Sequence, residues 1–364
     1  MHSIIGSKTA NPSTISLDGN MDAFQLCGAK IIEPVQLAIP RPSEGEALVR
    51  VRRAGICGTD VHYFSHGKVG RFIPNRPFVL GHEFAGEVVE VGKGTSNEIV
   101  GQRVAVDPSI PCGTCNFCKS GRYNLCLDMR FYGSASCDPH LDGGFSQFVV
   151  VPVANCHVVD DRLGWGEAAL VEPLSVVLHA LKRSGGIAGK SVLITGGGAI
   201  GQLLAISARA FGAASVVLSD PMEFSRDQAL ELGADHALNP TESNFAQNAN
   251  DISNGGFDVL FEASGAVQAL TQGISLLSRG ASLVQVGSLP AEVTLPFNDI
   301  MARELTIVGS FRFANVFESA LQLMASGRIK AAGTVSAVYP LAEMPKAMDR
   351  AVAKKDVIKV QIEP

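Results

Sequence analysis

Long apolar runs and blocks of like charge are both missing from this sequence of 364 residues. Its most apolar stretch, AALVEPLSVVLHAL, is interrupted by Glu172 and His179 and is shorter than the ~20 residues that a transmembrane helix needs. Lysine and arginine total 30 against 35 aspartate and glutamate residues, and no basic cluster would attract a polyanion. We therefore expect neither a membrane nor a nucleic acid as a partner.

Aromatic residues are scarce, at 6% of the chain, and the sequence contains no internal repeat. Its 46% of hydrophobic and 18% of charged residues are typical of a globular protein. Residues 1–20 lack both the apolar core of a secretory signal and the arginine of a transit peptide, so we interpret them as a flexible N-terminal extension. The eight cysteines are then expected to be reduced, in the cytoplasm.

The sequence pattern changes near residue 174. Before it, short β-branched runs such as EALVRVRRAGI, FAGEVVEVG and GQRVAVDP predict a β-rich barrel or sandwich. After it, strands such as SVLIT, FDVLFEAS and ASLVQVGS alternate with helices, which predicts a parallel sheet covered on both faces. The C-terminal residues, ending VIKVQIEP, break this alternation and are expected to return to the first domain. The helix after SVLIT is predicted to end near Gly212 and to bury one face that contains Ile200, Leu203, Leu204, Ala208 and Phe211.

Four cysteines lie together in CGTCNFCKSGRYNLC. A thiol cluster in a reducing compartment more often binds metal than forms disulfides, and four thiolates complete a tetrahedral zinc site that leaves no position for water. Such a site stabilises a loop; disulfides and a four-cysteine iron–sulfur cluster are the alternatives. The predicted structural zinc ligands are Cys112, Cys115, Cys118 and Cys126. We interpret Cys27, Cys137 and Cys156 as structural residues.

The glycine motif GGGAIG follows a predicted strand and opens a predicted helix. In this context G-x-G-x-x-G allows a tight turn, close approach of the backbone to a pyrophosphate and packing of helix on strand. Asp220 ends the next strand, where an acid meets the adenosine ribose hydroxyls and repels a 2′-phosphate, so NAD is favoured over NADP. Arg226, shortly after it, is interpreted as a solvated helix residue. The predicted cofactor-binding residues are Gly196, Gly198, Ala199, Ile200, Gly201 and Asp220.

Three dispersed motifs carry a second set of metal ligands. AGICGTDVH contains Cys57, LGHEFAG contains His82 and Glu83, and LVEPLSV contains Glu172. A thiolate, an imidazole and a carboxylate are the ligands of a catalytic zinc that keeps one position open. Each residue alone is commonplace, but together with a dinucleotide motif they indicate a metal-dependent dehydrogenase.

From about Met21 to the C-terminus the sequence resembles the zinc-dependent medium-chain alcohol and polyol dehydrogenases. The resemblance rests on CGTD with His62, GHE, the cysteine cluster, VEPLSV and GGGAIG. It implies an α/β fold in which a doubly wound Rossmann sheet, residues 174–312, joins a GroES-like β-rich catalytic domain, residues 21–173 and 313–364. It also implies that Cys57, His82 and either Glu83 or Glu172 bind the catalytic zinc, giving two zinc ions per chain, and that the chain forms a homo-oligomer, a dimer or a tetramer.

The resemblance further assigns a proton relay. Thr59 would accept the proton of the substrate hydroxyl, His62 would carry it to solvent, and Asp60 would orient His82. Phe311 and Arg312, in GSFRF, match a segment that lines the nicotinamide, and Lys359 matches a basic position near the pyrophosphate.

The expected substrate is a small sugar acid or polyol. Many alcohol-oxidising members of the family carry cysteine where this chain has Glu172, whereas the sorbitol-dehydrogenase-like branch carries glutamate. The segment MRFYGSASCDPHLDGGFSQF resembles the L-idonate 5-dehydrogenase branch, so Arg130, Arg312 or His140 would meet a substrate carboxylate. L-Idonate ranks first, sorbitol- or xylitol-type polyols second and L-threonine third. A zinc-free reductase of the same fold and a non-catalytic nucleotide-binding protein are the rival classes.

Overall fold

The computed structural model describes residues 17–364. The predicted extension, residues 1–20, therefore lies mostly outside the described residues, and the first strand already begins at Asn20. No helix in the described part of the chain is both long and apolar enough to cross a membrane. Residues 17–158 contain ten strands and two α-helices: β1 Asn20–Gly28, β2 Ile31–Ala38, β3 Glu46–Gly55, α1 Gly58–His66, β4 Phe78–Val79, β5 Glu83–Val91, β6 Arg103–Val106, β7 Ser109–Ile110, α2 Asn116–Lys119, β8 Arg130–Phe131, β9 Phe148–Pro152 and β10 Cys156–Val158.

The second half alternates helices and strands before two final strands. Its elements are α3 Trp165–Ala169, α4 Val171–Arg183, β11 Ser191–Thr195, α5 Ala199–Ala210, β12 Ser215–Ser219, α6 Glu223–Leu232, β13 His236–Leu238, α7 Phe245–Ser253, β14 Phe257–Glu262, α8 Val267–Ser275, β15 Leu277–Gln285, α9 Phe297–Ala302, β16 Thr306–Gly309, α10 Phe317–Ala325, β17 Val335–Pro340, α11 Met344–Ala353 and β18 Lys359–Glu363.

The six strands β11 to β16 form a parallel sheet in the order β13-β12-β11-β14-β15-β16. Counted from β11, this is the order 3-2-1-4-5-6 of the doubly wound dinucleotide-binding fold. Strands β12 and β13 are added on one side of β11 and the last three on the other, so the strand order reverses between β11 and β14. The turn after β11 carries the glycine motif. The predicted Rossmann sheet is confirmed.

The β-rich part is built around a largely antiparallel sheet in the order β10-β6-β5-β3-β18-β17, with β9 also paired to β3. The C-terminal strands thus join the sheet formed by the N-terminal half, as expected. The predicted boundary at residue 313 stays a prediction. Phe313 and Phe317, which follow it, pack in the same apolar cluster as Ile194 and Leu204 of the Rossmann part. The chain rejoins the β-rich sheet only at β17.

One detail of the helix α5 prediction is wrong. Leu203, Leu204 and Ala208 are buried as expected, but Phe211 is 42% exposed. The helix ends at Ala210, and Gly212 follows with a left-handed φ of 83°. Since Phe211 lies beyond the last helical residue, the chain has already turned its side chain away from the buried face.

Candidate active site

The cysteine loop, residues 112–126, gathers its four sulfurs around one point. The Sγ atoms of Cys115 and Cys118 are 3.6 Å apart, and Cys112–Cys118 and Cys115–Cys126 are each 4.0 Å apart. Four thiolates at about 2.3 Å from a tetrahedral zinc ion would be separated by ~3.8 Å, whereas a disulfide requires about 2.05 Å. The loop therefore fits a structural zinc ion.

The loop backbone also stabilises thiolates. The backbone N–H of Cys115 donates to Cys112 Sγ at 3.4 Å, and that of Cys112 donates to Cys126 Sγ at 3.2 Å. The N–H of Cys115, with that of Thr114, lowers the pKa of Cys112 to about 6. Because these hydrogen bonds favour the thiolate form, they offset part of the electrostatic repulsion between the thiolates before a metal binds.

The second group of ligands is assembled by long-range pairing. Ligand atoms of Cys57, His82 and Glu83 all lie within 4.8 Å of one another. Strand β3 pairs with β5 so that Gly55 faces Glu83, and Cys57 follows two residues later at the start of α1. A Cβ added to Gly55 would lie 2.2 Å from Glu83 Oε2, so only glycine leaves room for this carboxylate.

The donor set and its burial both fit a divalent metal. Burial, followed by the charge of Glu83, raises the pKa of Cys57 to about 12, and burial raises the pKa of Glu172 well above its usual value. His82 Nδ1 is buried without a hydrogen-bond partner and lies 3.7 Å from Asp60 Oδ1, leaving Nε2 for a ligand. A bound cation reverses the effect of burial on these acids, and sulfur, nitrogen and oxygen are the donors that zinc takes in catalytic sites.

Asp60 is placed to organise this group. It is fully buried, and its Oδ2 accepts a hydrogen bond of 2.8 Å from the backbone N–H of Cys57. Its other oxygen accepts from the Gly81 N–H at 3.4 Å and faces the His82 ring. The carboxylate therefore joins the two chain segments that supply ligands.

Glu83 has a partner that the sequence did not reveal. Lys359 Nζ lies 2.6 and 2.7 Å from the two carboxylate oxygens of Glu83 and donates to the Ile56 carbonyl at 3.1 Å. Both side chains are almost fully buried, at 1% and 3% exposure. Burial alone would lower the pKa of Lys359. The negative charges of Glu83 and Cys57 have the larger, opposite effect, so the pKa is raised overall. Lys359, expected near a pyrophosphate, lines the nucleotide cleft with its ammonium group on Glu83.

The glycine turn has the geometry of a phosphate-binding loop. Gly196 has a φ of 95°, and a Cβ on Gly201 would lie 1.8 Å from the Gly196 carbonyl oxygen. Gly198 begins helix α5 and faces open space, where an anion would meet the helix N-terminus. Asp220 fixes the turn, since its Oδ2 accepts from the Gly197 N–H at 2.7 Å.

A cleft of about 510 Å³ connects the two sets of residues. Its wall includes Cys57 and Glu83 from the β-rich part and the glycine turn with Asp220 from the Rossmann part. A substrate held at the metal ligands would therefore lie at one end of a cleft whose other end accepts a nucleotide. The residues of the predicted cofactor set that line it are Gly196, Gly198, Ala199, Ile200 and Asp220.

The residues assigned from the family resemblance occupy different environments. Thr59 is half-buried, and its backbone N–H faces the Cys57 sulfur. His62 is exposed on α1, and partial burial, His66 and Lys354 lower its pKa. Phe311 is 51% exposed and is not among the residues that line the cleft. Thr59 and His62 both lie on helix α1, which begins directly after Cys57, and both are at least partly accessible to solvent.

The cation candidates for a substrate carboxylate separate clearly. His140 is wrong for this role, because its Nε2 accepts from the Asn75 N–H at 3.2 Å and its Nδ1 lies 2.7 Å from the Cys137 carbonyl. Arg130 is exposed on its two-residue strand. The Arg312 guanidinium lies 4.2 Å from the ring centroid of Phe131, and that ring lies 5.7 Å from the ring of His82. Arg312 and His82 thus contact the same aromatic ring, and the charge of Glu172 acts on Arg312.

Comparison with known proteins places the chain in a family. Residues 43–161 match the alcohol dehydrogenase GroES-like domain, and residues 199–326 match the zinc-binding dehydrogenase domain. Sorbitol dehydrogenase of Bacillus subtilis (strain 168) is 35% identical over 96% of this chain and 99% of its own. L-Idonate 5-dehydrogenase (NAD(P)(+)) of Escherichia coli (strain K12) is 36% identical over 93% and 97%. The crystal structure of the Escherichia coli L-idonate 5-dehydrogenase superposes with a TM-score of 0.89, covering 95% of this chain and 98% of that one, at 35% identity.

The chain belongs to the zinc-dependent medium-chain alcohol and polyol dehydrogenases, with a GroES-like domain and a Rossmann domain. It is an oxidoreductase of this family, and its relatives include enzymes named for a polyol, sorbitol, and for a sugar acid, L-idonate. The expected family, fold class and reaction class are confirmed.

Proposed function

We propose that the protein oxidises a secondary hydroxyl of a sugar acid with NAD⁺, that L-idonate is the first substrate to test, and that Cys57, His82 and Glu83 hold the catalytic zinc. The observation that carries this proposal is the group of three ligand atoms within 4.8 Å of one another, two of which belong to residues that line the nucleotide cleft, Cys57 and Glu83. Glu172 is buried close by but lies outside that group, so in this proposal it does not bind the metal directly and influences the ligands through its charge. The second zinc ion belongs to the cysteine loop.

Zinc held by these residues would supply a Lewis acid that lowers the pKa of an alcohol hydroxyl toward neutrality. Asp60 holds His82 and the Cys57 backbone in place. Thr59 accepts the hydroxyl proton, and His62, one helical turn further, releases it to solvent. Bound NAD⁺ would supply the hydride acceptor, so that oxidation of the alcohol would give a ketone, NADH and one proton.

The substrate cation in this proposal is Arg312. Burial lowers its pKa to about 10, so the guanidinium still carries its charge at pH 7. Its planar fork suits a carboxylate, which a sugar acid has and a polyol lacks. Sorbitol- or xylitol-type polyols rank second and L-threonine third. Turnover of this panel with NAD⁺ tests the order, and failure of every sugar acid together with turnover of sorbitol would replace L-idonate by a polyol.

NAD is the proposed cofactor, with NADP less favoured. The Asp220 carboxylate accepts from the backbone N–H groups of Gly197 and Met222, at 2.7 and 2.8 Å, so it is fixed where a 2′-phosphate would meet its charge. Arg226 donates to the carbonyls of Asp220 and Pro221. We expect Asp220→Ser to lower the NAD⁺ to NADP⁺ ratio of kcat/KM by roughly tenfold, whereas an unchanged ratio would contradict this assignment.

Of the two rival classes, the non-catalytic nucleotide-binding protein is removed by membership of a dehydrogenase family. A zinc-free reductase of the same fold gives no reason for Cys57, His82 and Glu83 to converge. Since a thiolate cluster requires a reducing compartment, we place the protein in the cytoplasm.

We further propose a homo-oligomer that pairs through the sheet edge at β16. Within the described residues 17–364 this strand pairs with β15 alone, and Phe297 and Met301 of the preceding helix α9 are 67% and 71% exposed. Light scattering after Met301→Glu tests this: a shift to smaller species supports it, and an unchanged mass opposes it.

A further inference from the structure

Three hydrogen bonds hold residues 311–315 against the cysteine loop. The Asn124 side-chain amide donates to the Phe311 carbonyl at 2.9 Å. The Asn315 backbone N–H donates to the Tyr123 hydroxyl at 2.7 Å, and the Asn315 side-chain amide donates to the Gly121 carbonyl at 2.7 Å. Both ends of the segment are therefore tied to the loop, although the two lie almost two hundred residues apart in sequence.

Arg312 lies between these two ties, in a backbone conformation that a non-glycine residue seldom adopts. Its φ is 50°, and that of Asn315 is 58°. Such conformations persist where the surrounding structure enforces them. The same backbone places the guanidinium over the ring of Phe131, whose ring also contacts that of His82. The position of this side chain therefore depends on a segment whose ends the cysteine loop fixes.

We propose that the cysteine loop positions Arg312 for the substrate, through Tyr123, Asn124 and Asn315. This inference rests on the proposed function, because it takes Arg312 as the group that meets the substrate. Tyr123 and Asn315 are positioning residues, since the contacts that define them are to the segment and the loop. Because none of residues 311–315 lines the nucleotide cleft, we expect loss of these ties to leave nucleotide affinity unchanged.

Two substitutions remove the ties at Asn315. Tyr123→Phe deletes the hydroxyl acceptor, and Asn315→Gly deletes the amide donor while keeping a residue that accepts positive φ. In the double variant we expect KM for the best substrate to rise about tenfold with kcat within about twofold of wild type, the pattern of lost substrate binding. The Kd for NADH, from its fluorescence, and the zinc content are expected to be unchanged.

A matched control separates positioning from general weakening. Asn155 donates from its side-chain amide to the carbonyls of Asp107 and Ser109, both at 2.7 Å, outside the segment and the cysteine loop. We expect Asn155→Ala to leave KM unchanged. In an Arg312→Ala background, Tyr123→Phe should add no further rise in KM, because coupled residues are not additive. Full additivity would overturn the proposal.

A measurement independent of turnover completes the test. The backbone N–H of Asn315 loses its acceptor in Tyr123→Phe, so its hydrogen exchange should accelerate at least tenfold in the zinc-loaded protein. In Asn155→Ala the exchange rate of the same N–H should stay at its wild-type value. If wild type turns over no substrate of the panel, the proposed function fails while this exchange result still tests the ties. If wild type is active and the double variant keeps both its KM and its exchange rate, the inference is overturned.

Discussion

The two metal-ligand groups differ in how the chain builds them. The four cysteines of the loop come from one stretch of residues, 112–126, and are half-exposed. The Cys57 group joins residues from α1 and the start of β5, is largely buried and has a lysine from the last strand against it. The first group offers four soft ligands and closes the coordination sphere, whereas the second offers mixed ligands and faces a cleft. In the proposed function, one zinc ion would stabilise the loop and a second would act in catalysis at the cleft.

The largest expected effect comes from the dispersed group. Cys57→Ala removes the thiolate ligand, and we expect kcat/KM to fall by at least about a thousandfold because the hydroxyl is no longer ionised at neutral pH. The thermal midpoint should change little, since the cysteine loop keeps its metal. Steady-state assays and calorimetry check both halves, and activity equal to that of wild type would remove Cys57 from the catalytic site.

The buried ion pair gives the next effect. Lys359→Met leaves Glu83 buried without its cation, and we expect about 3–5 kcal/mol of destabilisation in the metal-free protein, less when zinc is bound. Denaturant unfolding with and without chelator measures both values. As a control, Lys346→Met removes an exposed pair with Glu343 and should cost at most about 1 kcal/mol. Equal effects of the two substitutions would contradict the role given to burial.

The cysteine loop should respond in the opposite sense to Cys57. Cys115→Ser removes one of four thiolates, and we expect the thermal midpoint to fall by roughly 5–10 °C, since metal-binding free energy contributes to folding. The loss of kcat should remain within about threefold at a temperature where the variant is folded. A thousandfold loss of kcat with an unchanged midpoint would show that this site is catalytic.

The smallest effect concerns pH. Because the pKa of His62 is lowered from its usual 6.5, the imidazole is neutral at pH 7 and accepts a proton; it loses this capacity only as pH falls through the lowered pKa. The oxidation rate of wild type should therefore decline on the acid side of pH 6.5. We expect His62→Gln to reduce kcat by roughly tenfold and to lack that decline. An unaltered profile would remove His62 from the relay.

Contiguous motifs could be interpreted from the sequence alone. The cysteine spacing and the glycine turn with Asp220 are local, so their geometry follows from a few residues of backbone. The structure accordingly brings Cys112, Cys115, Cys118 and Cys126 together and directs Asp220 to Gly197.

What depends on register and distant packing was not predictable. Lys359 and Glu83 are 276 residues apart in sequence, and only the pairing of β18 and β5 with β3 brings them together. The choice between Glu83 and Glu172 likewise depends on Gly55 facing Glu83 across two strands. The segment MRFYGSASCDPHLDGGFSQF offered His140 as a cation for a substrate carboxylate. In the structure both of its ring nitrogens contact neighbouring backbone groups instead.

Zinc content measured together with turnover tests the central claim most directly. Wild type should contain about two zinc ions per chain, and Cys57→Ala and Cys115→Ser about one each. Chelation that removes the ion absent from Cys57→Ala should abolish oxidation of the substrate, and added Zn²⁺ should restore it. Undiminished turnover in protein shown to be free of divalent metal would contradict the account.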